Sequence, residues 1–119
     1  MATIAAVVHI VVEQGARWTD TIQLADPNDV PIDITDYSVN FVIKQRANDG
    51  GIGAVTLTVG DGIELTDPEN GMMTVVIFET VTDTLDFDDD KGVYYCDIIA
   101  PGSGIVTRVL NGRVELHRK

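Results

Sequence analysis

The sequence predicts an all-β protein, a single β-sandwich of about seven to eight antiparallel strands over residues 1–119. Three observations carry the prediction. Valine, isoleucine and threonine are abundant while alanine, leucine and lysine are sparse, a bias that suits a pleated, half-buried surface. Strong turn sequences recur through the chain at spacings of about 8–12 residues, the rhythm of a sandwich or small barrel. Hydrophobic residues make up 45% of 119 positions, enough to fill one core and too few for two.

The elements follow in order. AAVVHIVVE places Val7, His9 and Val11 on one face and Val8, Ile10 and Val12 on the other, a strand apolar on both sides. After a Gln14-Gly15 turn, ARWTDTIQLAD alternates, with Trp18, Asp20, Ile22 and Leu24 against Arg17, Thr19, Thr21 and Gln23. Asp26-Pro27-Asn28-Asp29 is turn chemistry at nearly every position. PIDITDY crosses over with Ile32 and Ile34 pointing one way, and SVNFVIKQR is a strand with Val39, Phe41 and Ile43 on its apolar face. The run from Asn48 to Gly53 reads as a loop or hairpin tip. AVTLTV alternates, Gly60-Asp61-Gly62 turns the chain into GIELTD, and Asp67 to Gly71 is a second strong turn before the β-rich MMTVVIFE.

ETVTDTLDFDDDKG is the one stretch with helical spacing, through Val81 and Leu85, and predicts a short helical turn near 80–88. GVYYCDIIA is the next strand, Pro101 to Gly104 ends it, and IVTRVLNGRVELHRK closes the chain as a strand bent near Asn111-Gly112 or as a hairpin there.

Charge narrows the function classes. Nineteen Asp and Glu oppose eight Lys and Arg, a net charge of −11, which repels a phosphate backbone and makes nucleic acid and anionic membranes unsuitable partners. The basic minority gathers at the end, at Arg108, Arg113, Arg118 and Lys119. Cys96 is the only cysteine, so no internal disulfide forms and folding in a reducing cytoplasm is expected. The first apolar run has no basic residue before it and ends in Glu13, which argues against a secretion signal. It is also too short to span a bilayer as a helix.

The acidic cluster DFDDDKG is the one candidate for metal chemistry. Asp86, Asp88 and Asp90 fall at the first, third and fifth positions of an EF-hand loop, but Lys91 takes the glycine position and Asp97 stands where a bidentate Glu belongs. A weaker calcium site is the functional reading. The competing one is a solvated corner whose like charges discourage edge-to-edge pairing. The two histidines, His9 and His117, lie at opposite ends of the chain, and with one cysteine they build no closed zinc site. Ser38 and Ser103 sit in no nucleophile elbow, and Cys96 lacks the positive surroundings of a reactive thiolate. Trp18 with Tyr37, Tyr94 and Tyr95 could build a small carbohydrate platform, but a Trp in a strand with Ile22 and Leu24 on its face is more often core. No catalytic residue, cofactor or small-molecule substrate is expected.

The order VEQGARWTDTIQL, a D-P-x-D turn, PIDITDYSVNFVIKQR, GIELTDPENGMMTVVIF, KGVYYCDI and GIVTRVLNGRVEL resembles a group of small immunoglobulin-like β-domains. These are encoded among tailed-phage tail, baseplate and tail-fibre genes, the N-terminal domain of upper baseplate proteins among them. The resemblance covers almost the whole chain and rests on strand rhythm and turn residues. It implies an immunoglobulin-like sandwich and a non-enzymatic virion structural protein, an adaptor or scaffold made in the host cytoplasm. It also implies other phage structural proteins as partners and a homo-oligomer in the particle. A capsid decoration or head–tail joining protein is the nearby alternative, and a calcium-assisted cell-surface glycan-binding module the more distant one. From the residues themselves, the doubly apolar first strand offers Val7, Val8, Ile10, Val11 and Val12 as a subunit contact, unless it is a central strand of its own sandwich. The basic end offers Arg113, His117 and Arg118.

Overall fold

Alternation of apolar and polar residues dominates the architecture. The computed structural model describes residues 6–7, 9–44, 55–85 and 91–118. Nine strand segments occur in it: β1 (Ala6–Val7), β2 (Ile10–Glu13), β3 (Trp18–Gln23), β4 (Ser38–Lys44), β5 (Val55–Val59), β6 (Gly62–Asp67), β7 (Met72–Ile77), β8 (Lys91–Ile99) and β9 (Val106–His117). A 3-10 turn at Pro68–Asn70 and one helical turn, α1 (Glu79–Thr82), complete the regular structure. The helical turn falls where the Val81/Leu85 spacing predicts it.

Hydrogen-bonded neighbours run in the order β1-β9-β8-β4-β5-β6-β7-β3, with β2 also on β9. Laid flat, that order would put β3 four strand spacings from β4, about 19 Å away. Yet the rings of Trp18 on β3 and Phe41 on β4 lie 6.4 Å apart. The sheet therefore folds back on itself between β5 and β6, making a front layer of β1/β2, β9, β8, β4 and β5 and a back layer of β6, β7 and β3. Phe41 stacks on Tyr94 of β8 at 5.1 Å in the space between the layers. Met73, Val75 and Ile77 of β7 and Val114 and Leu116 of β9 close the same core from opposite sides.

Most pairings are antiparallel, as expected, but the first strand is not. β1 and β2 lie parallel to β9, pairing Ala6 with Leu110 and Ile10 with Val114. A short parallel pairing, Thr58 with Gly62 and Val59 with Ile63, links the two layers. Gly62 permits the fold-over: its φ of 99° is open to glycine, and a Cβ there would meet Leu57 Cδ2 at 2.8 Å.

The last segment is one strand without a hairpin. Its irregularity falls before Asn111-Gly112. Asp97 pairs with Arg108 and Cys96 with Leu110, leaving Val109 as the extra residue of a bulge. Val109 and Leu110 are consequently both buried, which strict alternation would forbid.

Candidate interaction surface

Strand parity decides which sequence-predicted residues face outward. On β2, Ile10 and Val12 are buried in the chain's own core, while Val11 is 45% exposed. Two of the five proposed contact residues of the first strand are thus core, yet β2 is not a central strand: among the described residues it pairs with β9 alone, at the edge of the front layer, with Ile10 and Val12 on the core side. Val7 belongs to β1 and pairs with Asn111. Val8 lies outside the described residues. The two suggested contact regions prove to be one place, since β2 runs beside the basic end of β9 with Glu13 opposite His117. His117 Nδ1 is 3.4 Å from Glu13 Oε1 and its Nε2 is 3.9 Å from Glu115 Oε2. Arg113 and Arg118 are exposed.

The residues weighed for chemistry are largely committed to the fold. His9 Nδ1 accepts the main-chain N–H of Arg113 at 3.1 Å. Cys96 is completely buried, and burial, with Asp97 adding to it, pushes its thiol up to about 12. Ser103 Oγ accepts the N–H of Ile105 within the β8–β9 turn. Asp86, Asp88 and Asp90 lie outside the described residues. Among the described residues no three His, Cys, Asp or Glu side chains gather as a metal group. The four aromatics of the suggested platform do not converge, because Trp18 packs on the core and Tyr94 is buried within it, whereas Tyr95 points out from the front layer.

The outer face of the front layer is the arrangement that strand-by-strand reading misses. Cross-strand pairing sets Lys44 beside Val93 and Val93 beside Arg113, then Val42 beside Tyr95 and Tyr95 beside Asn111, then Asn40 beside Asp97 and Asp97 beside Arg108. Tyr95 sits in the middle. The guanidinium carbon of Arg108 lies 4.2 Å from its ring centroid and Lys44 Nζ 5.4 Å, both within cation–π range. Arg108 also forms a two-point ion pair with Asp97, Nε to Oδ1 at 2.9 Å and Nη2 to Oδ2 at 3.3 Å. That hydrogen bond is the main reason the Arg108 guanidinium is held even more firmly in its charged form. Val42 is on this outer face yet only 7% exposed. A concavity of about 410 Å³ opens here, lined in part by Lys44, Val93, Tyr95, Arg108 and Asn111.

The opposite face is apolar in one place. Val59, Leu65, Val76 and Phe78 line a shallow groove of about 580 Å³ with Glu64 at its side. Arg17 stands over the Phe78 ring and grips Glu79 through Nε at 3.0 Å and Nη2 at 2.9 Å. The same corner is tied by Thr82 Oγ1 donating to the Ala16 carbonyl at 2.8 Å. Gln14 Nε2 adds a bond to the Leu85 carbonyl at 3.2 Å.

No helix among the described residues is long and apolar enough to cross a membrane. No protein-family model matches the sequence, and no curated protein matches it. Among solved structures, the chain is similar to the natural killer cell receptor NKp44, described as a triggering partner in natural cytotoxicity. The match has a TM-score of 0.54 and 17% identity, over 97% of this chain and 100% of that one. The fold of this protein is thus an immunoglobulin-like β-sandwich, with Cys96 in its core and no second cysteine to bridge the layers.

Proposed function

We propose that this chain is a non-enzymatic structural subunit of a tailed bacteriophage particle, an adaptor or scaffold in the tail, baseplate or fibre-attachment region. The observation that carries the reading is the outer face of the front layer, where Tyr95 lies between Arg108 and Lys44. Tyrosine and arginine are enriched at protein–protein contacts, because each gives a large contact area together with a polar handle. The sequence resemblance to phage β-domains supplies the setting. The His9 imidazole, the Cys96 thiol and the Ser103 hydroxyl support the same reading, since each is spent on a main-chain hydrogen bond or on core packing.

Mass spectrometry of purified particles, with gold labelling of the intact virion, tests the proposal. The expected result is a fixed copy ratio to the tail proteins and label at the tail, baseplate or fibre base. Label spread over the head would favour capsid decoration instead. Absence of the chain from purified particles would overturn the reading.

A further inference from the structure

We propose that the patch around Tyr95 docks a carboxylate-bearing segment of a partner protein, with Lys44 and Arg113 as the two charge contacts; this rests on the structural-subunit reading above and names the chemistry of its partner. Lys44 and Arg113 occupy one cross-strand row on either side of Val93, two strand spacings or about 10 Å apart. Among the described residues neither has a carboxylate at ion-pair distance, whereas Arg108 is already engaged by Asp97 and Arg17 by Glu79. Glu115, the next outward residue of β9, lies toward His117. In the next outward-facing row Tyr95 and Asn111 supply a flat ring and an amide. Among the described residues, the patch thus pairs an aromatic anchor with two cations that lack counter-charges.

Charge complementarity selects the occupant. Asp97 and Glu115 border the patch, and the chain as a whole carries nineteen acids against eight basic residues, so a long polyanion such as nucleic acid is repelled as soon as it extends past the patch. A short carboxylate cluster reaching about 10 Å is not. Screening decides whether the local attraction survives. At 0.15 M salt the Debye length is about 8 Å, so charges on the far side of a molecule measuring 40 × 27 × 25 Å are hidden from a ligand on the patch. At 0.01 M it is about 30 Å, and the acidic remainder is felt across the whole molecule. Binding therefore weakens when salt is lowered, opposite to an ordinary basic site.

The test titrates the full chain with a peptide carrying three aspartates alternating with glycine, with its asparagine counterpart, and with an oligothymidylate bearing three phosphates. Amide NMR shifts report the site. The expected result is saturable shifts at Tyr95, Asn111 and Arg113 with the aspartate peptide, stronger at 0.15 M than at 0.01 M salt. Binding should weaken roughly tenfold in a Lys44→Ala/Arg113→Ala variant whose spectrum remains dispersed. Equal shifts with the asparagine peptide, tighter binding of the oligothymidylate, shifts centred elsewhere, or tightening at low salt would each overturn the proposal. If the chain is on purified particles but ignores the peptide, only the docking face is lost. If it binds the peptide but is missing from particles, only the structural role is lost.

Discussion

His9 and Arg113 are 104 positions apart, and the imidazole Nδ1 of the first accepts the main-chain N–H of the second at 3.1 Å. The contact sits between β1 and β2, at the break in their shared parallel pairing with β9. There a side chain replaces a missing rung of main-chain hydrogen bonding. His9→Ala leaves that N–H to solvent and should cost about 1 kcal/mol. The expected signature is faster amide exchange at Arg113, with the β8–β9 amides unchanged. An unaltered Arg113 exchange rate would show that the imidazole does not hold the edge.

Gly71 ends the 3-10 turn with φ at 71°. A Cβ there would meet the Leu24 carbonyl oxygen at 2.5 Å and the Ile32 carbonyl oxygen at 2.7 Å. Both atoms are main chain, and Leu24 N–H itself donates to the Gly71 carbonyl at 2.9 Å. Gly71→Ala combines a left-handed penalty of about 1–2 kcal/mol with displacement of two backbone segments. A loss of at least about 2 kcal/mol in urea unfolding is expected. Gly102→Ala is the control: its φ is also positive, at 81°, but a Cβ there would meet nothing within 4 Å. It should therefore be destabilised by the left-handed penalty alone, about 1–2 kcal/mol.

Stability should fall at acid pH through two surface carboxylates. The Arg17 hydrogen bond holds Glu79 below the usual range, and hydrogen bonds from the Thr35 hydroxyl and N–H do the same for Asp33. Each folded value lies below its unfolded one, so the contribution is present above about pH 4 and disappears as pH drops through the folded values. Both groups are exposed, so the effect is modest and salt-sensitive. Arg17→Gln should flatten the Glu79 part of the profile in thermal melts between pH 7 and pH 2, leaving the Asp33 part.

Much of the sandwich is legible in the sequence because a strand's period of two marks its faces directly. Trp18, Ile22, Phe41 and Ile43 all lie on the faces that alternation assigns them. The parallel run of β2 on β9 is not legible, since pairing direction leaves no mark in either strand's own pattern. Nor is the Val109 bulge, which breaks the period in a stretch where Asn111-Gly112 offers the stronger local turn signal. The Tyr95 patch stayed hidden for a related reason. Lys44, Tyr95, Arg108 and Arg113 come from three strands, and only the register brings them together.

Cys96 should be silent toward thiol reagents in the folded protein. Its side chain is fully buried, and burial followed by the Asp97 charge raises the thiol to about 12. The unfolded thiol titrates near 8.5. The folded value is the higher one, so this group supports the fold below about pH 8.5 and its contribution disappears as pH rises toward the folded value. Tyr94, also raised to about 12 mainly by burial, acts in the same direction from about pH 10 upward. Labelling with a disulfide reagent at pH 8 should be slow in buffer and rapid in denaturing urea. Rapid labelling of the folded chain would place the thiol at the surface.

Asp20 guards the open side of the sandwich. Among the described residues β3 pairs only with β7, which leaves its other edge open. Parity puts Asp20 on the same face as Trp18 and Ile22, opposite the buried Val75, but its side chain stays exposed at the rim. A cleft of about 320 Å³ lies there, lined by Ile10, Trp18, Ile22, Phe41, Tyr94 and Leu110, with Asp20 as its charge. An apolar cleft beside a free edge invites a strand from another molecule, and a charge at the cleft's mouth beside that edge disfavours it. Asp20→Val removes the charge and raises β propensity together. Sedimentation velocity should then show concentration-dependent association, while Asp20→Glu stays in the wild-type state. The Tyr94 phenol, raised in part by Asp20, should titrate lower in the valine variant wherever that variant remains dissociated. Equal sedimentation of wild type and Asp20→Val at all concentrations would assign protection of the edge to some other feature.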